Sequence, residues 1–351
     1  MTIKKIIAWD LGATKCAAGL IEYDDHSQHY YCKKRSVVKM ADTSSLDDLI
    51  HQLEIGLDYT MCSADAICVS AAGFFNGECL LSSHSYRYTM PFAALAKKYH
   101  WPTYAVIHDY ASVVCATFTS YMSDTLNVKR LNEAAIDLFG RRVAFGIGTG
   151  LGLKDGILFN HGDFWLGQNE VGHIGINTPS LMNPSRCQQH RELILFLQKK
   201  ISQPITMETL LSGPGMLYLH EFFYPNLNIN TPEQVGNRVA AGLANEVLDS
   251  FAWYLGVFVG TMQLCFMPSG GLWITGGVVL HHLNVFDQPS FQAGILASPA
   301  YREEREAYPL GVLCHPDHAL IGSAYYAVKR LIKNDEPPLT KETVKGALSI
   351  G

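Results

Sequence analysis

The sequence contains a carboxylate and a glycine turn that could together hold a phosphate group and a magnesium ion. Asp10 ends an apolar run, and Gly12 and Thr14 follow it at alternate positions. An aspartate here can order water molecules around Mg²⁺, while the N–H of Gly12 and the hydroxyl of Thr14 can contact phosphate oxygens. An ordinary hairpin turn would have the same pattern, so these residues alone leave both interpretations open.

A second glycine turn lies near the middle of the chain, at 146–152, where glycine occupies every second position. Gly148, Thr149 and Gly150 form its centre. Glycines leave backbone N–H groups open to the close approach of an anion, and Thr149 adds a hydroxyl. The turn matches neither the dinucleotide fingerprint nor the P-loop pattern. Glycine-rich hairpins are common, but two such turns, one in each domain, favour a nucleotide held between domains.

Three further side chains suit the binding of a hydroxylated ligand and a reaction at one of its hydroxyl groups. Asp109 follows an apolar strand pattern, where a carboxylate faces the ligand-binding edge of an α/β sheet and can act as a general base. It equally suits the N-cap of a following helix. Glu170 and His173 are three residues apart with a glycine between them, so they can hydrogen-bond neighbouring hydroxyl groups. A surface pair would have the same spacing.

The elements that must position these residues alternate between strand and helix along most of the chain. Apolar runs predict strands at 3–10, 16–22, 103–107, 142–147, 153–159 and 271–275. Apolar residues at helical spacing predict helices at 46–57, 191–200, 213–220, 232–267 and 319–332. This alternation is typical of α/β domains, and a strand–glycine turn–strand unit occurs once in each half of the chain.

Composition limits the class of protein. A length of 351 residues, with 48% hydrophobic and 17% charged residues, suits two well-packed domains. A net charge of −5 without a block of lysine and arginine argues against nucleic acid and anionic membranes as partners. Nine cysteines without a C-x-x-C pair predict a reducing cytosol, with neither a disulfide framework nor a structural zinc. The apolar stretch at 250–267 favours a buried core helix over a membrane span or a homodimer surface, although a homodimer remains possible. We therefore expect a soluble cytoplasmic protein.

Six motifs occur in an order that resembles the bacterial glucokinase family of the actin-like ATPase superfamily. They are D-x-G-x-T at 10–14, H-D at 108–109, G-T-G-L-G at 148–152, E-x-G-H at 170–173, E-x-x-x-S-G-P-G at 208–215 and T-G-G at 275–277. The resemblance runs from about residue 5 to residue 331. It implies an α/β, two-domain actin-like ATPase (ribonuclease H-like) fold with an inter-domain cleft. On this basis we assign 1–110 with 318–351 to a small domain and 111–317 to a large domain.

The resemblance also implies an activity and a role for each motif residue. The activity is ATP-dependent phosphorylation of a hexose, glucose to glucose 6-phosphate in the simplest case, with ATP and Mg²⁺ as cofactors. Asp109 would be the general base, and no side chain is assigned as a direct metal ligand. The sugar-binding residues would be Ser85, His108, Asp109, Glu170, His173 and Glu208. The residues that handle the ATP phosphates and magnesium would be Asp10, Gly12, Thr14, Gly148, Thr149 and Gly150, with Gly276 and Gly277 passing close to the adenosine.

Four positions depart from the family pattern. His108 and Ser85 stand where the family has asparagines, Tyr88 stands at the position of a family tryptophan, and Ala13 replaces the second glycine of the first turn. Loss of two amides removes groups that both donate to and accept from sugar hydroxyls. A kinase for another hexose, or a non-catalytic sugar or nucleotide sensor with the same fold, therefore remains an alternative. Ala13 adds only a methyl group, which a turn with negative φ accommodates.

Overall fold

Apolar runs of the sequence form the central strands of two mixed sheets in the computed structural model, which describes residues 3–81, 86, 88–176 and 184–333. Within these ranges the strands are Ile3–Leu11 (β1), Lys15–Asp24 (β2), His29–Lys39 (β3), Ala66–Ala71 (β4), Phe74–Phe75 (β5), Leu80–Leu81 (β6), Thr103–His108 (β7), Val128–Arg130 (β8), Arg142–Ile147 (β9), Leu151–Leu158 (β10), Phe164–Leu166 (β11), Gly271–Thr275 (β12) and Leu310–Leu313 (β13). The α-helices are Leu46–Leu57 (α1), Phe92–Lys98 (α2), Asp109–Ala116 (α3), Pro184–Lys200 (α4), Met207–Leu210 (α5), Gly213–Phe223 (α6), Pro232–Ala240 (α7), Asn245–Phe266 (α8), Gly277–His281 (α9), Pro289–Ile295 (α10), Arg302–Glu306 (α11) and His318–Ala327 (α12).

The chain divides into two compact units, each built around one of the large sheets. The first unit comprises the chain up to Ser120 and from Ala319 onward, and the second comprises Tyr121–His318. The first sheet has the strand order β3-β2-β1-β4-β7, and the second has the order β11-β10-β9-β12-β13-β8. Apart from β8, the strands of the second sheet are therefore arranged as in the first: β11, β10, β9, β12 and β13 correspond to β3, β2, β1, β4 and β7. The two predicted strand–glycine turn–strand units, β1–β2 and β9–β10, occupy equivalent places. The predicted domain limits stay a prediction; the one at residue 110 would fall inside α3.

The register of the first sheet brings the ends of three parallel strands level with one another. Leu11 of β1 pairs with Ala71 of β4, and Ala71 pairs with His108 of β7. Trp9 lies fully buried in the core of this unit, where its ring contacts Phe92 in an edge-to-face arrangement. Because the strands end together, Asp10 and Asp109 are held at the same edge of the sheet.

The second unit is organised around α8, a 22-residue helix. The predicted helix at 232–267 is instead two helices, α7 and α8. The break coincides with Gly242, whose φ of 70° lies outside the helical region and is available to glycine at little cost. By length and composition α8 could cross a membrane, but 83% of its most apolar stretch is buried inside the protein. The helix therefore has the surroundings of a domain core, as the sequence predicts.

Candidate active site

Asp109 begins α3 directly after β7, and its carboxylate is one of two acidic groups at this edge of the first sheet. Its Oδ1 accepts a hydrogen bond from the Tyr110 N–H at 2.9 Å and lies 2.8 Å from Nδ1 of His108. The side chain of Asp109 is 29% exposed, so it is neither buried in the core nor fully solvated. The N-cap position of α3 belongs to His108, whose Nδ1 accepts from the Tyr110 N–H at 3.3 Å. Asp109 is thus the first helical residue, with its carboxylate held by its neighbours.

Asp10 is the second acidic group, and its electrostatics show that the two carboxylates interact. Burial, followed by repulsion from Asp109, raises the pKa of Asp10 to about 6, against a smaller opposing effect of Lys15 and Arg35. Two neighbouring carboxylates create a site of negative potential that a divalent cation relieves. Mg²⁺ characteristically binds through one or two carboxylates together with water and substrate phosphates. Asp10 therefore fits the predicted role of ordering magnesium-bound water.

The pKa of Asp10 gives a prediction about stability. Between about pH 4 and pH 6 the folded protein holds the Asp10 proton more tightly than the unfolded chain does, so its stability falls as the pH rises through this window. Above the window the buried charge destabilises the fold by about 1–3 kcal/mol. Asp10→Asn removes that charge, so we expect it to raise the melting temperature at about pH 7.5 and to lose this advantage near pH 4.

Thermal unfolding followed by circular dichroism at several pH values measures this effect. Asp58→Asn is the matched control, because Asp58 is an 85% exposed aspartate of the same unit and forms a surface ion pair with Lys34. Its replacement is expected to leave the melting temperature unchanged or slightly lower, since exposed ion pairs contribute little. A destabilising effect of Asp10→Asn at neutral pH would show that the Asp10 charge is compensated in the folded protein.

Tyr86 is a residue of this region that the sequence did not predict. Its hydroxyl donates to the carbonyl oxygens of Ala72 at 3.1 Å and of Leu11 at 3.3 Å, next to the ends of β4 and β1. Burial and the nearby charge of Asp109 raise the pKa of its phenol. Tyr88, which the sequence placed at the family's tryptophan position, instead contacts the hydroxyl of Thr43 at 2.9 Å. An aromatic residue near the motif was therefore foreseeable, but not which of the two.

In the second unit, the predicted phosphate turn connects β9 with β10 and is anchored to the start of α6. The Gly148 carbonyl accepts a hydrogen bond from the Gly213 N–H at 2.8 Å, and the Gly148 N–H donates to the Gly150 carbonyl at 2.9 Å. Among the described residues, the N–H groups of Thr149 and Gly150 have no backbone acceptor across the turn. Two open N–H groups in a fixed turn next to a helix N-terminus are a suitable arrangement for a phosphate group.

Glu208 links a predicted sugar-binding carboxylate directly to this turn. Its Oε2 accepts a hydrogen bond from the Leu151 N–H at 2.8 Å. Glu208 can come this close to the turn only because residue 150 is glycine: a Cβ atom added to Gly150 would lie 2.5 Å from Oε2 of Glu208. Glu208 is carried by the short helix α5, whose first residue, Met207, donates its N–H to the Ile174 carbonyl at 3.0 Å. The carboxylate and the turn therefore form one connected structure.

Glu170 directly precedes a 3₁₀ turn, Val171–His173, which ends with His173 and packs on the same region of β10. Gly172 sits so close to this strand that an added Cβ atom would lie 2.1 Å from the Leu151 carbonyl oxygen. The side chain of Glu170 is 65% exposed and lies 3.3 Å from Nζ of Lys154. Glu170, His173, Glu208 and the glycine turn are therefore carried by connected segments of one unit.

A pocket of about 670 Å³ opens beside the glycine turn within the second unit. Gly276 connects β12 with α9 at the edge of this region, with a φ of 99°, and an added Cβ atom would lie 2.4 Å from the backbone of Ile147. Only glycine fits there, because both the backbone conformation and the close approach exclude a side chain. Residues that line the pocket include Gly148, Thr149, Gly213, Asn237, Gly277 and Val278. Gly148 of the predicted phosphate turn and Gly277 of the predicted adenosine-binding pair thus border one cavity.

The predicted site residues fall into two groups, one in each unit. The first unit carries Asp10, Gly12, Thr14, His108 and Asp109, and the second carries Gly148, Thr149, Gly150, Glu170, His173, Glu208, Gly276 and Gly277. Ser85 lies outside the described residues. In the described part of the chain, no three histidine, cysteine, aspartate or glutamate side chains are grouped so that they could hold a metal ion. Ala13 has a negative φ, so its methyl group fits the turn as predicted.

Two buried charged residues of β10, Lys154 and Asp155, were missed by the sequence interpretation. Both are 3% exposed. Lys154 donates to the Asn169 carbonyl and contacts Glu170, while Asp155 accepts from the Asn169 side-chain amide at 3.0 Å. Adjacent opposite charges inside a predicted strand were the available signal, because such residues are rarely buried without partners.

The family model described as Glucokinase matches residues 7–330. The glucokinase of Agrobacterium fabrum is 25% identical over 330 residues, which cover 92% of this chain and 91% of that protein. The glucokinase of Allorhizobium ampelinum is 28% identical over 230 residues, which cover 63% of this chain and 64% of that protein.

Solved structures have the same fold at lower sequence identity. A glucokinase from an Antarctic psychrotroph has a TM-score of 0.76 at 18% identity and covers 92% of this chain and 98% of its own. A Balamuthia mandrillaris glucokinase in complex with glucose has a TM-score of 0.73 at 18% identity, with 92% and 93% covered. A ROK family glucokinase from Streptomyces griseus in complex with glucose and AMPPNP has a TM-score of 0.59 at 15% identity, with 92% and 98% covered. The fold is that of the actin-like ATPase sugar kinases, and the chain belongs to the glucokinase family.

Proposed function

We propose that the protein transfers the γ-phosphoryl group of ATP to the 6-hydroxyl of a hexose, with glucose as the leading substrate and Asp109 as the general base. Family membership over residues 7–330 supports the reaction class. The structure of the S. griseus relative contains glucose and AMPPNP, an ATP analogue whose γ-phosphoryl group is not transferred. The glucose complex of the B. mandrillaris relative supports the same substrate.

The reaction forms one bond and breaks one. The sugar 6-oxygen attacks the γ-phosphorus, its proton passes to the Asp109 carboxylate, and the bond from the γ-phosphorus to the bridging oxygen breaks as ADP leaves. This chemistry asks the protein mainly for positioning and for electrostatic stabilisation. Asp109 suits the base because its carboxylate is fixed at the first turn of α3 and remains partly exposed to a ligand.

The sugar is held by carboxylate and imidazole groups. Glu170 and Glu208 accept hydrogen bonds from hydroxyl groups near the anomeric carbon, and His173 forms a hydrogen bond with a neighbouring hydroxyl. Ser85 and His108 take the places of the family's asparagines. An ionised carboxylate is an acceptor only, so Glu170 and Glu208 select ligands that present hydroxyl donors in fixed directions. This arrangement would discriminate among hexoses by the orientation of those hydroxyls.

The nucleotide is held by the two glycine turns and the pocket near Gly276 and Gly277. Gly12, Thr14, Gly148, Thr149 and Gly150 contact the phosphates, and the pocket of about 670 Å³ accepts the adenosine. Asp10 would hold Mg²⁺ through water, and the ion would neutralise charge on the β- and γ-phosphates. The repulsion between Asp10 and Asp109 supports this assignment, because a cation at Asp10 would lower it.

One contact supports this function more than any other, namely the hydrogen bond from the Leu151 N–H to Glu208. It joins a predicted sugar-binding carboxylate to the predicted phosphate turn within one unit. A protein that bound only a sugar or only a nucleotide would have no need for this connection. The contact therefore favours an enzyme that binds both substrates at adjoining places.

A coupled assay of ADP release with a panel of hexoses tests the proposal. Glucose, mannose, galactose, fructose and amino sugars are each supplied with ATP and Mg²⁺, and the sugar product is identified by mass spectrometry. We expect ADP release in a one-to-one ratio with glucose 6-phosphate. A higher turnover with another sugar would reassign the substrate, as the His108 and Ser85 replacements permit. Saturable sugar binding without ADP release would instead indicate a sensor.

We also propose that the protein works in the cytoplasm. All nine cysteines are free thiols in the described part of the chain, and Cys16, Cys68 and Cys115 are buried. Burial raises the pKa of the Cys68 thiol to about 12, so this group stays a protonated core residue. Free thiols in this number suit a reducing compartment.

A further inference from the structure

Lys154 is a buried cation in the strand that leads away from the phosphate turn. Its side chain is 4% exposed, although lysine is almost never this deeply buried without a partner. Nζ donates to the Asn169 carbonyl and lies 3.3 Å from Oε1 of Glu170. Both contacts lie in the segment that presents Glu170, so the ammonium group holds that segment to β10.

Asp155, the next residue of the strand, holds the same segment through different atoms. Its Oδ1 accepts a hydrogen bond from the Asn169 side-chain amide at 3.0 Å, and its carbonyl accepts from the Gly167 N–H at 2.8 Å. Arg141 lies 3.5 Å from the Asp155 carboxylate and offsets part of its charge. Asp155 therefore fixes the backbone before Glu170, whereas Lys154 also reaches the Glu170 carboxylate.

We propose that Lys154 is a positioning residue for sugar binding, which acts by holding the Glu170 carboxylate in place; this rests on the proposed sugar-kinase function. A long, exposed glutamate side chain loses rotamer freedom when it binds a ligand. An ammonium group at 3.3 Å restricts that freedom beforehand, so that the carboxylate is already in place to accept hydrogen bonds from sugar hydroxyls. Lys154 makes no contact with the sugar in this scheme.

If Lys154 had a purely structural role, its replacement would change the stability of the fold but not the affinity for glucose. Replacing a buried ion pair by an apolar group of similar volume is often neutral or stabilising, whereas breaking it by deletion is costly. Methionine has a similar length to lysine and no charge. Lys154→Met therefore removes the hold on Glu170 while filling the same space, and sugar affinity can be separated from folding.

The test is a double-mutant cycle in the full-length protein. Lys154→Met, Glu170→Gln and the double variant are compared with wild type by glucose titration calorimetry and by steady-state kinetics, with circular dichroism as the check on folding. We expect Lys154→Met to raise the Kd and KM for glucose about tenfold, as for loss of one charge-assisted hydrogen bond, with kcat and the KM for ATP changed less than about threefold. Lys154→Arg, which keeps the charge, should recover most of the affinity.

The double-mutant cycle also shows whether Lys154 and Glu170 affect glucose binding independently of each other. If Lys154 acts through Glu170, the double variant binds glucose no more weakly than the weaker single variant. Unchanged glucose affinity in folded Lys154→Met, or losses in the two single variants that simply add in the double variant, would overturn the proposal. If Lys154→Met does not fold, Lys154→Gln takes its place in the cycle. Wild-type turnover is measured first, so failure of the sugar-kinase function appears there and failure of the Lys154 proposal appears only in the variants.

Discussion

Replacing Asp109 by asparagine is expected to lower kcat for glucose phosphorylation by about 10²–10⁴-fold, the usual contribution of a general base. The amide has nearly the same shape as the carboxylate and can keep its contact with the Tyr110 N–H, so α3 should fold normally. It cannot accept the proton of the sugar 6-hydroxyl. Glucose affinity, measured by calorimetry, should change less than about fivefold, because most sugar contacts are assigned to other residues.

Asp42→Asn is the matched control for this prediction. Asp42 is an exposed aspartate of the same unit, in the short 3₁₀ helix Met40–Asp42, and it has no role in the proposed site. Its replacement should leave kcat unchanged. A rate for Asp109→Asn close to that of the control would exclude Asp109 as the base, and a loss of glucose binding equal to the loss of rate would make it a binding residue instead.

Replacing Gly150 by alanine is expected to raise the KM for glucose by about 10- to 100-fold with little effect on stability. The new Cβ atom would lie 2.5 Å from Oε2 of Glu208, which must move and give up its hydrogen bond with the Leu151 N–H. A hydrogen bond from a sugar hydroxyl to the Glu208 carboxylate would contribute about 1.5–3 kcal/mol, and its loss on displacement of Glu208 corresponds to this range. Glu208 is the flexible end of a side chain, so its displacement costs the fold little.

Gly148→Ala is the control for Gly150→Ala, because it adds the same methyl group two residues away. A Cβ atom at Gly148 has no atom of the described structure within 4 Å. We expect it to leave glucose affinity and melting temperature close to wild type, although turnover can change because Gly148 borders the nucleotide pocket. Equal glucose KM values in the two alanine variants would mean that the hydrogen bond between Glu208 and the Leu151 N–H does not position Glu208 for sugar binding.

The sequence predicted the strands of both sheets that carry the two glycine turns, for a physical reason. β1, β9 and β12 are buried on both faces, so they appear as continuous apolar runs that end in Asp10 or in glycine. Short elements gave no such signal: β8 and β11 have three residues each. The apolar spacing at 232–267 continues across the break between α7 and α8, whereas the break coincides with Gly242, whose positive φ this spacing does not encode.

The site was predictable in its motifs but not in its connections. Asp109, Glu170 and Glu208 could be identified because each belongs to a local pattern. The contact between Glu208 and Leu151 joins residues 57 positions apart, and the contacts of Lys154 join β10 to a loop 15 and 16 positions on. Such pairs depend on register and on loop path, which local periodicity does not encode.

The most direct test of the central claim is a crystal structure of the protein with glucose and a non-hydrolysable ATP analogue bound together. The distance to measure joins the Asp109 carboxylate to the 6-hydroxyl oxygen of glucose. A general base must lie within hydrogen-bond reach, about 2.6–3.2 Å, of the proton-bearing atom. We expect a distance in that range. A sugar whose 6-hydroxyl faces another group, with Asp109 more than about 5 Å away and no bridging water, would contradict the assignment of Asp109 as the base.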